Sequence, residues 1–126
     1  MKKPGQAGFT LVELLVVLAI LGLLLGLALP RYFHAIDSSK ETVLAENLRI
    51  TREAIDKFYG DTGRYPDSLD ELVDKRYLRA VPFDPIAGSS TAWIIVAPQE
   101  GIAGTVYDLH SGAEGAGQDG RRYVDK

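Results

Sequence analysis

Apolar and polar positions are sharply segregated along this chain. Residues 14–29 contain no charged or strongly polar side chain, whereas the sequence from Arg31 to Lys126 reads as a polar soluble domain. At a rise of about 1.5 Å per residue, an α-helix over the apolar run from Phe9 to Leu29 just spans a hydrocarbon core of about 30 Å. The pattern therefore predicts an N-terminal helix that anchors the chain in a membrane.

The helical pattern continues beyond Arg31 but becomes amphipathic. Its apolar stripe recurs at alternating spacings of four and three residues, with charged residues mostly on the other faces. The periodicity ends at the segment Gly60-Asp61-Thr62-Gly63, a strong stop signal. We predict a single helix from about Leu11 to about Tyr59, whose amphipathic part (residues 31–59) carries a small head. The stripe consists of Leu44, Leu48, Thr51, Ile55 and Phe58, with Val43 and Ala54 flanking.

The rest of the chain predicts short elements. Ser68 and Glu71 have the spacing of a capping box, which indicates a short helix. The segment Val81–Pro85 is expected to be an extended loop, because residues before proline avoid the helical region. Three segments are rich in strand formers, and a glycine-rich loop (residues 111–120) precedes the third. These predicted strands are Thr91–Ala97, Thr105–Leu109 and Arg121–Val124. The predicted fold class is α+β, with one long N-terminal helix packed on a small antiparallel β-sheet head.

Composition removes several functions from consideration. The formal net charge is −3, so the chain lacks the basic field that holds nucleic acid, and we expect no nucleic-acid partner. The absence of cysteine excludes a disulfide framework, a thiolate zinc site and a cysteine nucleophile. His34 and His110 lie far apart without a neighbouring catalytic or metal-binding pattern, and we interpret both as solvent-facing. We therefore do not expect an enzyme.

The first residues and Glu13 differ from an ordinary export signal. Lys2 and Lys3 precede the apolar run, and positively charged flanks stay in the cytoplasm. No Ala-x-Ala cleavage pattern follows Leu29, so we expect the mature protein to keep the apolar segment. A carboxylate such as Glu13 near the start of a membrane helix is costly without a partner. Two interpretations stay open: Glu13 reaches the headgroups, or it has a function within the membrane.

The segment Gly8-Phe9-Thr10-Leu11-Val12-Glu13-Leu14 resembles the cleavage and assembly motif of the type IV pilin superfamily. That superfamily includes type IV pilins, competence pilins and type II secretion pseudopilins. The resemblance implies that a prepilin peptidase cleaves after Gly8 and that the new N-terminus, Phe9, is N-methylated. It also implies that Glu13 meets the Phe9 amine of a neighbouring copy in a helical filament. The chain would then comprise a cleaved leader (1–8), a transmembrane and filament-core helix (9–30) and a head (31–126).

Three further segments are similar to the major pseudopilin (G subunit) of type II secretion: FYGDTGRYPDSLDELV, VPFDP and YDLHSG. This resemblance implies a pilin-like fold and a structural subunit of a type II secretion pseudopilus, which polymerises to drive protein export across the outer membrane. It implies a single pass through the bacterial inner membrane with a periplasmic head. The implied partners are an inner-membrane assembly platform and minor pseudopilins. The alternative is a type IV or competence pilin serving adhesion, motility or DNA uptake.

Major pseudopilins often bind calcium in a C-terminal loop, so the resemblance implies a metal site in the glycine-rich loop. The candidate ligands are Ser111 through its hydroxyl, Gly112 through its carbonyl, and the carboxylates of Glu114 and Asp119. The loop departs from the family pattern, because Asp119 stands alone where an Asp-Asp pair is usual. Gly-Ala-Glu-Gly also replaces the family's Gly-Pro-Asp-Gly. A calcium site and a metal-free loop held by hydrogen bonds therefore both stay open.

Overall fold

The computed structural model describes residues 10–126. The chain divides into two compact units, Met1–Asp37 and Ser38–Lys126. We call the second unit the head. A long helix, α1 (Leu11–Thr62), has residues in both units. The predicted cleavage residues Gly8 and Phe9 lie outside the described residues, so the leader and its boundary stay predictions.

In the first unit, α1 is helical from Leu11 onward and continues through Gly22, Gly26 and Pro30. Proline has no N–H group, so the helical hydrogen bond to the carbonyl four residues earlier is missing at this point. The large apolar side chains from Leu11 to Leu29 are about half exposed or more. Within the described residues, α1 is long and apolar enough to cross a membrane, as the apolar run predicts.

In the head, α1 buries the predicted stripe. Leu44, Leu48, Thr51, Ile55 and Phe58 are all buried, which confirms the helical periodicity. The helix ends at Thr62 rather than about Tyr59. The Thr62 hydroxyl donates to the Phe58 carbonyl at 2.7 Å, and the Gly63 N–H donates to the Tyr59 carbonyl at 2.8 Å. The Gly63 bond satisfies one of the last four carbonyls, which a helix terminus would otherwise leave without partners.

A short helix, α2 (Leu69–Asp74), follows a turn. The Ser68 hydroxyl accepts the Glu71 N–H at 3.2 Å, which confirms Ser68 as the cap. The reciprocal bond differs from the predicted box, because the Glu71 carboxylate accepts the N–H of Asp67 at 3.0 Å rather than that of Ser68. Arg64 donates two further hydrogen bonds to Glu71. The start of α2 is therefore fastened to the segment that follows α1.

Two short strands form the sheet. Strand β1 (Ile94–Val96) pairs antiparallel with β2 (Asp108–His110), with Ile95 opposite Leu109. Both strands lie near the predicted segments but are shorter. The predicted third strand at Arg121–Val124 is wrong. A 3₁₀ helix (Tyr123–Asp125) begins in its second half, because the Tyr123 ring turns into the core and the Lys126 N–H closes the turn on the Tyr123 carbonyl at 3.0 Å.

The head core joins α1 to the sheet and to the C-terminal segments. Besides the stripe it contains Ala54, Leu72, Trp93, Val106, Leu109, Ala113 and Tyr123. The Trp93 indole N–H donates to the Pro82 carbonyl at 2.8 Å, so the buried ring has its polar partner. Arg52 of α1 donates to the Asp108 carboxylate at 2.7 Å and to the Leu109 carbonyl at 2.9 Å. This side chain ties the helix to β2.

The two histidines differ. His34 is exposed on α1, as predicted. His110 is half-buried, and its Nδ1 atom is buried without a hydrogen-bond partner among the described residues. The prediction of a solvent-facing ring is therefore wrong for His110, because β2 places it beside the core residue Leu109.

Candidate assembly site

The first turn of α1 holds Glu13 in a defined position. The Thr10 hydroxyl accepts the Glu13 N–H at 3.1 Å, and the Thr10 carbonyl accepts the Leu14 N–H at 3.2 Å. Thr10 is therefore the N-cap of the helix. The spacing Thr10-x-x-Glu13 is that of a capping box. The prediction that the helix starts at about Leu11 did not use this signal.

The Glu13 carboxylate lies at the positive end of the helix dipole, which favours a negative charge in the first turn. Its side chain is exposed. Among the described residues, no lysine or arginine forms an ion pair with it; the ion pairs found there all lie in the head. The Glu13 carboxylate is therefore positioned by its own helix, but no cation pairs with it among the described residues.

The apolar surface that follows Glu13 is equally open. Leu11 is 74% exposed and Leu14 is 51% exposed. Apolar side chains in such a continuous surface favour an environment without water, such as lipid or other apolar helices. Glu13 is thus a charged group at one end of an apolar helix surface, and that surface favours a nonpolar environment.

Ser111, the first candidate calcium ligand, is buried and already engaged. Its hydroxyl donates a short hydrogen bond to the Asp84 carboxylate and accepts the Ala113 N–H at 3.1 Å. The other oxygen of Asp84 accepts the N–H groups of Ile86 and Ala87 at 2.9 and 3.0 Å. Asp84 is fully buried, and it locks the Val81–Pro85 loop onto the end of β2.

Gly112, the second candidate, packs tightly against the neighbouring backbone. A Cβ atom at Gly112 would lie 1.9 Å from the Ala92 carbonyl oxygen, so only glycine fits this position. The two carboxylate candidates, Glu114 and Asp119, are both exposed. One Asp119 oxygen accepts the Arg121 N–H at 3.0 Å and lies 3.3 Å from the Lys126 ammonium. The Arg121 N–H and the Lys126 ammonium hold the pKa of Asp119 below its ordinary value.

Calcium takes six to eight oxygen ligands, and two of the four candidates, Ser111 and Asp119, already contact other groups of the chain. Within residues 10–126, no group of three or more histidine, aspartate or glutamate side chains could hold a metal ion. The Ser111 hydroxyl faces Asp84, whereas Asp119 faces Lys126. The predicted site therefore gains no support from the donor set, and calcium binding itself stays a prediction.

Known proteins share both the N-terminal motif and most of the chain. The family model described as "Prokaryotic N-terminal methylation motif" matches residues 3–29. The type II secretion system core protein G of Pseudomonas aeruginosa is 33% identical over 101 residues, which cover 68% of this chain and 71% of that protein. The protein of the same name from Klebsiella michiganensis is 28% identical over 137 residues, covering 86% and 94%.

A true pilin is also among the relatives. The type IV major pilin protein PilA of Myxococcus xanthus is 35% identical over 69 residues, covering 55% of this chain but 31% of the pilin. No solved structure matches. The similarity to the secretion proteins covers more than two thirds of both chains, whereas the similarity to this pilin leaves most of the pilin unmatched.

Proposed function

From the premise that this chain belongs to the pilin superfamily, in the family of the type II secretion system core protein G, we propose that it is a structural subunit of a type II secretion pseudopilus. Polymerisation of many copies would drive folded proteins across the outer membrane. The family consists of structural subunits, and the chain's contribution is assembly rather than catalysis.

The observation that carries this proposal is the Glu13 carboxylate at the start of an exposed apolar helix. A charged side chain inside a membrane helix costs about 2.5–3.5 kcal/mol at the bilayer centre. A buried charge is retained only when it is paired. Glu13 has no cation among the described residues, and we assign its partner to another copy of the chain.

The Phe9 amine is the partner that processing creates. Cleavage after Gly8 by a prepilin peptidase removes Lys2 and Lys3, which would hold the N-terminus in the cytoplasm. It leaves a positively charged amine at Phe9, four residues before Glu13, and this amine is then N-methylated. When the helix moves from lipid into a filament core, the amine of one subunit pairs with Glu13 of the next. A buried pair of this kind also sets the axial register between copies.

The topology follows from the same helix. Residues 1–8 form the leader, residues 9–30 form the transmembrane and filament-core helix, and residues 31–126 form the periplasmic part, which contains the head. The chain crosses the inner membrane once, and the head lies in the periplasm, where the filament grows. Its partners are further copies, the prepilin peptidase, the inner-membrane assembly platform and the minor pseudopilins.

A type IV or competence pilin is the second candidate, and the similarity to the Myxococcus xanthus pilin favours it. Both candidates use the same N-terminal helix, so the helix does not separate them. Deletion of the gene in its host distinguishes the two candidate functions. Exported proteins are measured in the medium, and surface pili, motility and DNA uptake are measured in the same cells.

We expect the deletion to leave exported proteins in the periplasm while pili, motility and DNA uptake remain normal. Expression of the intact chain from a plasmid should restore export. Normal export combined with loss of pili, motility or DNA uptake would replace the secretion proposal with the pilin alternative. Mass spectrometry of the purified protein should find a mature N-terminus at methylated Phe9.

A further inference from the structure

Lys126 places its ammonium group inside the turn that the glycine-rich loop makes. The side chain is only 19% exposed, and its Nζ atom lies 3.3 Å from the Asp119 carboxylate. The same atom lies 5.4 Å from the centre of the Tyr123 ring, close enough for a cation–π contact. A lysine held this closely to one carboxylate and one ring differs from the usual solvated surface lysine.

Glu41 of α1 reaches the same part of the loop. Its Oε1 atom accepts the Gln118 N–H at 2.9 Å and the Tyr123 hydroxyl at 2.9 Å. A Cβ atom at Gly117 would lie 2.6 Å from Lys126 Nζ, 2.8 Å from Glu41 Oε1 and 3.2 Å from Asp119 Oδ1. All three charged atoms therefore lie close to the bare backbone of Gly117, and a side chain at this position would displace at least the Lys126 and Glu41 groups.

The Lys126 backbone is fixed as firmly as its side chain. Its N–H donates to the Tyr123 carbonyl at 3.0 Å, and its main-chain oxygen accepts a short hydrogen bond from Arg52 of α1. The loop also closes on itself, because the Gly117 N–H donates to the Arg121 carbonyl at 2.9 Å. The backbone that carries the ammonium is therefore already ordered, which reduces the entropy lost when the side chain pairs with the Asp119 carboxylate.

We propose that the Lys126 ammonium is an internal cation of the glycine-rich loop and performs the structural role that a bound calcium ion would otherwise serve. It pairs with Asp119 beside Gly117 and joins the loop to the 3₁₀ turn at Tyr123–Asp125. A divalent ion at this point would have to displace the ammonium and would need further oxygen ligands. The Ser111 hydroxyl is not free to be one of them, because it already donates to Asp84. The loop is thus folded without metal.

Hydrogen–deuterium exchange of the full-length protein in detergent micelles tests this proposal. The readout is exchange in peptides that cover residues 115–122, measured with excess EGTA and with millimolar calcium chloride. For the unmodified chain we expect the same slow exchange in both conditions. Lys126→Met should accelerate loop exchange several-fold, whereas Lys126→Arg, which keeps the charge, should retain most of the protection. Lys57→Met removes an exposed lysine of α1 and should leave the loop unchanged.

Two results would overturn the proposal. If calcium slows exchange of the loop in the unmodified chain and EGTA reverses the effect, a metal ion holds the loop and Lys126 does not replace it. If Lys126→Met leaves loop exchange at the level of Lys57→Met, the ammonium has no structural role. The comparison of EGTA with calcium uses the unmodified chain, so it decides the question even if Lys126→Met unfolds the head.

Discussion

Leu14 and Leu48 lie on the same helix, yet 51% of Leu14 is exposed whereas only 3% of Leu48 is. Leu48 belongs to a stripe that the head covers with its own residues. Leu14 belongs to a surface on which every large apolar side chain stays open in the isolated chain. The head therefore completes its own core, whereas the first unit requires lipid or other subunits to cover its apolar side chains.

Charged groups show the same contrast. In the head, Arg52 forms an ion pair with Asp108, and Arg64 forms one with Glu71. In the described part of the first unit, Glu13 is capped by Thr10 at its backbone but meets no cation at its side chain. The stability of the head therefore depends on contacts within the chain, whereas the helix before it depends on its surroundings.

A core truncation should break the head and leave the first unit unaffected. Phe58→Ala should lower the free energy of unfolding of the head by about 3–5 kcal/mol, because it removes a fully buried ring and leaves a cavity. The measurement is denaturant unfolding of the full chain in micelles, followed by the fluorescence of the buried Trp93. Leu18→Ala, the matched control in the first unit, should leave that transition unchanged. Equal losses from both variants would contradict the division.

Loss of the arginine that ties α1 to β2 should have a smaller effect. Arg52→Met removes bonds to Asp108, to the Leu109 carbonyl and to the Lys126 main-chain oxygen. We expect a loss of about 1–3 kcal/mol in the same unfolding measurement, since these hydrogen bonds involve a charged donor.

Arg49→Met is the matched control for Arg52→Met. Arg49 is more than half exposed and pairs only along its own helix with Glu46 and Glu53. Exposed pairs of this kind contribute little to stability. If the two variants are equally stable, the Arg52 contacts do not hold the head together.

The Arg64–Glu71 pair should make the head sensitive to acid. Two hydrogen bonds from Arg64 are the main reason that the pKa of Glu71 is lowered from 4.5 to about 2. The ionised carboxylate therefore stabilises the head fully above pH 4.5, and this contribution is lost as the pH falls towards 2. Glu71→Gln should flatten the fall of the unfolding midpoint across this window. An unchanged pH slope would show that Glu71 is not responsible.

Local patterns predicted much of the fold. The stripe from Leu44 to Phe58 was predictable because each of its members faces one side of a regular helix, and Ser68 was predictable because a cap and its partner are three residues apart. The segment Arg121–Val124 is the exception. Its strand propensity yields to the burial of Tyr123 and to the turn that Lys126 closes.

The contacts of the glycine-rich loop could not be predicted in this way. Ser111 is 27 residues from Asp84, and Glu41 is 77 residues from Gln118. No periodic pattern in the sequence records such pairs, because they form only when α1, the loops and β2 pack together. The resemblance to pseudopilins singled out Ser111 and Asp119, but it did not indicate that Asp84 and Lys126 would be their partners. Thr10, by contrast, was predictable as a cap from its spacing to Glu13.

The most direct test of the proposed assembly is the filament yield of Glu13→Gln in the host. The amide is similar in size to the carboxylate but carries no charge to attract the Phe9 amine of a neighbour. We predict that the variant enters the membrane in normal amounts, as measured by fractionation. It should form few or no filaments when cells that overproduce it, or the material sheared from them, are imaged. Glu100→Gln, an exposed position in the head, should assemble normally. Normal filament yield from Glu13→Gln would contradict the pairing and with it the proposed role of this helix.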